Sequence, residues 1–126
     1  MYSILVCDDE KDIVSALKIY LMADGYQVFE AYNGKEALEV LKEQDIHLVL
    51  MDIMMPEMDG KEASRKIRSM ADKRADAAEI PILAMTAQAS TESIHQCELA
   101  GMNECIFKPV NAKELIGLLQ DIVEKI

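Results

Sequence analysis

The chain has 126 residues and a net charge of −10, with 13 basic against 23 acidic side chains. Its length suits one domain with a radius of gyration of about 14 Å, and 51% apolar with 29% charged residues permits a core and disfavours disorder. The acidic balance argues against nucleic acid or an anionic membrane as a ligand of this domain, because phosphate binding needs a basic surface.

Strand-like and helix-like segments alternate. Ile4 to Cys7 is an apolar run that stops at acids. From Asp12 to Asp24, Ile13, Leu17 and Leu21 recur every four positions, which marks one face of a helix. Gly25 follows where a helix-ending glycine belongs. Gln27 to Ala31 alternates polar and apolar, as a half-exposed strand does. Asn33 precedes Glu36 by three, an N-cap signature, and predicts a helix to about Glu43. His47 to Met51 is a buried-type strand ending at Asp52. Ala63, Ile67 and Met70 restore helical spacing. Met70–Glu79 is the nearest thing to a linker, although its alanines equally extend a helix. Ile80 to Met85 is another apolar strand, with Pro81 near its start, where a missing N–H is tolerated. Ser90 or Thr91 caps a helix ending at Gly101. Asn103 to Phe107 is a shorter, more polar strand. Asn111 and Glu114 repeat the N-cap pattern before an amphipathic stripe of Leu115, Leu118, Leu119, Ile122 and Ile126.

Five strands alternating with five helices predict an α/β fold, a doubly wound parallel sheet with helices on both faces. The first, third and fourth strands are nearly continuous apolar runs, as doubly buried strands are. The second and fifth carry Gln27, Glu30, Asn103 and Glu104, as edges do. Right-handed crossovers then give the flavodoxin-like order 2-1-3-4-5, with the ligand crevice beyond the carboxyl ends of strands one and three. We expect residues 1–126 to form a single domain.

That order brings Asp8, Asp9, Asp52, Thr86 and Lys108 to one rim. Each alone has an ordinary structural explanation, since Asp and Thr after strands cap helices and a lysine before proline is usually solvated. Three carboxylates together are another matter. At 4 Å and an effective dielectric near 20, each like-charge pair costs about 4 kcal/mol. Such a cluster must protonate or take up a cation. Oxygen donors without His or Cys select a hard ion, Mg²⁺ first.

Other chemistries lack their residues. Cys7-Asp8-Asp9-Glu10 contains no glycine-rich phosphate cradle. Neither His47 nor Ser3 falls at the predicted rim, so no nucleophilic triad is suggested. His95 and Cys97, two apart on a helix, face different directions, which disfavours zinc. No apolar run approaches the roughly 20 residues of a membrane helix, and Met1-Tyr2-Ser3 has no basic start of the signal-peptide kind. Three cysteines without a CxxC pair fit a reduced, cytoplasmic protein.

Asp8-Asp9, Asp52 within MDIMMPEMDG, Thr86 in MTA, and Lys108-Pro109 occur in order at strand ends, and the sequence thereby resembles a response-regulator receiver domain of two-component signalling over essentially its whole length. The resemblance implies that Asp52 accepts a phosphoryl group from a phosphohistidine of a sensor histidine kinase or a histidine phosphotransfer domain. It implies that Asp9 and Asp52 ligate Mg²⁺ directly, with the backbone carbonyl of Met54, while Asp8 acts mostly through a metal-bound water. Thr86 and Lys108 would meet phosphoryl oxygens, and the Lys108–Pro109 peptide would be cis. Signalling would reach an output domain or target through the fourth helix, fifth strand and fifth helix. Such a domain is no enzyme beyond phosphotransfer to, and dephosphorylation of, its own aspartate.

The chain departs from the family at Cys105, where an aromatic residue usually stands three before the lysine; a small buried apolar role is the simplest reading there. Met54 and Gln88, each two residues beyond a rim residue, occupy positions that tune water access in the family. Met54, Met55 and Met58 read alternatively as a flexible apolar cover, the preferred reading for Met55. Two other functions share some features. An aspartyl-nucleophile phosphatase also uses Asp and Mg²⁺, but carries a second acid where this chain has Met54. A pseudo-receiver interaction module keeps the fold without needing all five rim residues.

Overall fold

The periodicities above resolve into ten elements. The computed structural model describes residues 2–53, 60–69, 80–87 and 90–124. In chain order they are β1 (Ser3–Cys7), α1 (Lys11–Ala23), β2 (Gln27–Ala31), α2 (Gly34–Glu43), β3 (Leu48–Asp52), α3 (Gly60–Arg68), β4 (Ile82–Thr86), α4 (Thr91–Leu99), β5 (Glu104–Phe107) and α5 (Ala112–Val123). The strands form one parallel sheet in the order β2-β1-β3-β4-β5. Every residue of β1, β3 and β4 is buried, whereas β2 and β5 keep exposed positions. The predicted architecture and order are therefore those observed.

Alternation along the buried strands splits the core in two. On one face Leu5, Val49, Met51, Ile82 and Ala84 meet Leu41 of α2, Ile67 of α3 and Cys97 of α4. On the other, Ile4, Val6, Leu48, Leu50, Leu83 and Met85 meet Val14, Leu17 and Leu21 of α1 and Leu115 and Leu119 of α5. Fully burying a Leu or Ile contributes about 1.5–3 kcal/mol, so these two layers dominate stability. Ile13, expected on the α1 stripe with Leu17 and Leu21, is only half-buried, and Val14 is buried in its place. The three- and four-residue spacings that include Ile13 fit Val14 equally well.

Capping follows the sequence. The side chains of Asn33, Ser90 and Asn111 accept hydrogen bonds from the backbone N–H groups of Glu36, Ser93 and Glu114, replacing partners that a helix start lacks. Gly25 follows α1 at φ +93°, in the left-handed region that glycine enters without penalty. β2 has the expected bounds, the other strands start one or two residues away from expectation, and β3 and β4 run one residue further, to Asp52 and Thr86. Asn103, read as strand, instead uses its side-chain oxygen, which accepts from the Ile82 N–H and from Arg68. Arg68 also donates to the carbonyls of Ile80 and Gly101, tying the end of α3 to the α4–β5 turn.

Gly117 lies exposed in α5, and a Cβ there would meet nothing within 4 Å. Gly117→Ala is expected to raise unfolding free energy by about 0.5–1 kcal/mol, because alanine loses less backbone entropy in a helix. Urea denaturation monitored by circular dichroism measures this.

Met54, Met55, Met58, Gln88, Ile126 and the segment Met70–Glu79 lie outside the described residues.

Candidate functional site

Parallel register builds the site. Cys7 of β1 pairs with Met51 of β3, so the next residue on each strand, Asp8 and Asp52, emerges side by side at the carboxyl edge. Their neighbours are fixed by backbone bonds. The Asp8 N–H donates to the Ala31 carbonyl, the Ile53 N–H to Met85, and the Lys108 N–H to Thr86. β2 thus holds the end of β1, and β4 holds the ends of β3 and β5. The Lys108–Pro109 peptide is cis.

Burial makes the electrostatics consequential. Asp8 is wholly buried, Asp52 is 3% exposed and Thr86 is 1% exposed. The Lys108 ammonium lies 2.8 Å from Asp8 Oδ2 and 3.5 Å from Asp52 Oδ2. The other oxygen of Asp8, Oδ1, accepts the Glu10 N–H at 3.0 Å. Burial disfavours the charge on Lys108, but the Asp8 hydrogen bond and the fields of Asp52, Asp8 and Glu10 outweigh it and hold the ammonium above its ordinary pKa. The thiol of Cys7, directly beneath, is pushed far up by burial and then by the fields of Asp8, Asp52, Glu36 and Asp9. The negative potential of separate elements therefore converges at the strand ends.

Carboxylate oxygens of Asp8, Asp9 and Glu10 lie within 4.8 Å of one another. Asp52 stands outside that trio and is joined to Asp8 through the shared Lys108 ammonium. The donor set fits a hard divalent cation. It is made of oxygen, and two buried carboxylates against one ammonium keep a net negative charge that burial makes costly. Asp9 and Glu10 are exposed at the mouth, where an ion can enter.

All five rim residues predicted from sequence, Asp8, Asp9, Asp52, Thr86 and Lys108, lie at carboxyl ends of the sheet. The expected sixth contributor, the carbonyl of Met54, lies outside the described residues. Two participants were missed. Glu10 joins the acidic group, and its signal was simply a third acid after Asp8-Asp9. Gly60 opens α3 directly against β3, and its Cβ would collide with the Asp52 carbonyl and the Ile53 Cα. The signal for Gly60 was a glycine eight residues past the rim aspartate, but only packing shows its role. Gly60→Ala is expected to cost at least about 2 kcal/mol, since backbone cannot move aside as a side-chain tip can. Thermal unfolding reads that loss.

His47 sits at the opposite edge, where its Nδ1 accepts the Ser3 N–H at 3.0 Å, consistent with its exclusion from the rim.

Comparison with known proteins gives one consistent result. A family described as the response regulator receiver domain matches residues 4–120. The CAI-1 autoinducer sensor kinase/phosphatase CqsS of Vibrio cholerae is 38% identical over 114 residues, covering 90% of this chain and 16% of that protein. The chain thus spans a small part of that relative. The receiver domain of sensor histidine kinase PA1611 from Pseudomonas aeruginosa, solved with a magnesium ion coordinated in its active-site cleft, is 31% identical with a TM-score of 0.84, over 95% of both chains. Chemotaxis protein CheY4 of Vibrio cholerae is 28% identical with a TM-score of 0.89, over 96% of this chain and 98% of that one.

Proposed function

Since this chain belongs to the response regulator receiver domain family, we propose that Asp52 is the carboxylate that accepts its phosphoryl group, in a reaction that requires Mg²⁺. The observation that carries the assignment is the pairing of buried Asp8 and Asp52 across one lysine ammonium, 2.8 and 3.5 Å away. A carboxylate attacking a phosphoryl group brings negative charge toward negative charge, so positioning and electrostatics are the main needs. Asp8, Asp9 and Asp52, with the Met54 carbonyl, would hold the ion. When bound, Mg²⁺ supplies positive charge against the phosphoryl oxygens.

The chain's own groups do the rest. An Asp52 carboxylate oxygen forms the new P–O bond as the P–N bond to the donor histidine breaks, and the imidazole leaves with the electron pair. Lys108, held protonated by its acidic neighbours, offers its ammonium to a phosphoryl oxygen. Thr86, at the end of β4, offers its hydroxyl to another. The product is an acyl phosphate, labile enough for a reversible signal. Its hydrolysis on Asp52 is the only further reaction assigned to this domain.

A sensor histidine kinase or a histidine phosphotransfer domain is the donor in this reading, residues 1–126 act as one receiver domain, and the compartment is the cytoplasm. The α4–β5–α5 face carries the signal to an output partner as a population shift between conformers. No described helix is long and apolar enough to cross a membrane.

Phosphoramidate, whose P–N bond mimics phosphohistidine, tests the reading. With Mg²⁺, intact mass is expected to show one added phosphoryl group, and none when EDTA is present throughout the incubation. Continuous hydrolysis of p-nitrophenyl phosphate would instead mark a phosphatase, and no adduct at all an inert module.

A further inference from the structure

The acidic rim leaves two thiols at the far side of α4 unexplained. Cys97 lies in the last full turn of α4 and is 1% exposed, while Cys105 is the second residue of β5 and is partly exposed. Both line a small cleft of about 50 Å³ that also includes Ile94, Glu98, Met102 and Glu104. Cys105 packs against the core layer that contains Cys97. The intervening chain is short and turned back on itself. Ala100 and Met102 N–H groups both donate to the Cys97 carbonyl, and Gly101 at φ +90° reverses the direction into β5. The third cysteine, Cys7, is on β1, where its thiol donates to the Asn33 carbonyl.

We propose that Cys97 and Cys105 are a disulfide-forming pair, oxidised by hydroperoxides and restored by small thiols, that fastens α4 to β5. Cys105 is the sulfur that peroxide reaches first, because Cys97 is buried behind it. The Cys105 sulfur attacks the terminal peroxide oxygen, the O–O bond breaks, and water (or an alcohol) leaves behind a sulfenic acid. The Cys97 sulfur then attacks that sulfur, the S–O bond breaks, and the hydroxyl departs with the thiol proton as water. Two electrons pass from the sulfur pair to the peroxide. Exchange with a small thiol reverses the bond through a mixed disulfide. Burial, the neighbouring Cys97 and the Glu104 and Glu98 carboxylates push the Cys105 thiol up to about 12. Thiolate is therefore scarce at neutral pH, and the pair answers sustained rather than brief oxidant exposure. A bond here would resist any movement of α4 against β5. Its effect on signalling rests on the α4–β5–α5 face being the output surface, whereas formation of the bond does not.

The test treats the folded chain with hydrogen peroxide, then denatures it and counts thiols with N-ethylmaleimide. Of the three cysteines, two are expected to be lost to alkylation and recovered with dithiothreitol, and digestion should give one peptide pair linked through positions 97 and 105. Cys7→Ser should leave the link intact, and Cys105→Ser should abolish it. All three thiols staying reactive overturns the proposal. So does a link through Cys7, or a sulfinic acid on Cys105 beside an unmodified Cys97. Phosphoramidate labelling of the reduced protein is independent of this outcome, so failure of the pair and failure of the phosphoacceptor reading remain distinguishable.

Discussion

Asp52→Asn is expected to abolish phosphoryl incorporation while the protein stays folded. The amide nitrogen of asparagine has its lone pair delocalised into the carbonyl, so the variant has no competent nucleophile at the end of β3. Removing a covalent nucleophile costs at least on the order of 10³-fold in rate, which takes labelling below detection by intact mass. Fold loss is not the expected cause. Asparagine matches the volume of aspartate and relieves the repulsion between two buried acids that share one lysine. Its urea midpoint should equal or exceed that of the parent chain. Lost labelling together with a lower midpoint would assign the defect to folding.

Lys108→Ala carries the second large effect, and it acts on stability and reactivity together. Asp8 has no exposure, and its Oδ2 takes the lysine ammonium at 2.8 Å. Removing one partner of a buried pair strands the other charge, at a cost of roughly 3 kcal/mol in urea denaturation without divalent cation. Millimolar Mg²⁺ should recover part of that loss, since a cation bound among the acids takes over the neutralisation and stabilises the state that binds it. Phosphoryl incorporation should fall by about 10²–10³-fold even where the fold is restored, the size of effect seen when one electrostatic donor to a transition state is removed. Mg²⁺ leaving stability unchanged in this variant would count against a cation site among these residues.

The pH dependence has a definite sign. Lys108 is held above the ordinary lysine value of 10.5 by the Asp8 hydrogen bond and the fields of Asp52 and Glu10, against the opposing effect of burial. A group whose folded pKa is raised contributes its stability in full below the unfolded value and loses it as pH rises through the folded value. The Lys108 contribution should therefore stay flat from pH 6 to 9 and decline only above about 10.5. A Lys108-dependent loss between pH 7 and 8 would contradict that.

Much of this was legible in the residues. Doubly buried strands advertise themselves, because β1, β3 and β4 have no polar face to alternate with. From their apolar runs and the polar edges β2 and β5, the strand order followed, and with it the meeting of residues some forty to a hundred positions apart in sequence. The caps at Asn33, Ser90 and Asn111 were equally readable, since side-chain acceptors at helix starts are local chemistry. What could not be read depends on three-dimensional packing. Whether Ile13 or Val14 points inward is a matter of helix rotation of about 100°. The prohibition on a side chain at Gly60 arises from how closely α3 approaches β3. The preference of Lys108 for Asp8 over Asp52 is a difference of tenths of an ångström, beyond any spacing argument. Cys105 looked like a missing aromatic, and only the packing of α4 on β5 set it beside Cys97.

The most direct measurement is location of the phosphoryl group by borohydride. Reduction converts an aspartyl acyl phosphate to homoserine and leaves free carboxylates untouched, so peptide mass spectrometry reads the acceptor itself. After exposure to phosphoramidate and Mg²⁺, homoserine should appear at position 52 and at no other aspartate. Conversion at Asp8 or Asp9, or a phosphoryl group that resists borohydride because it sits on a hydroxyl or an imidazole, would contradict the account.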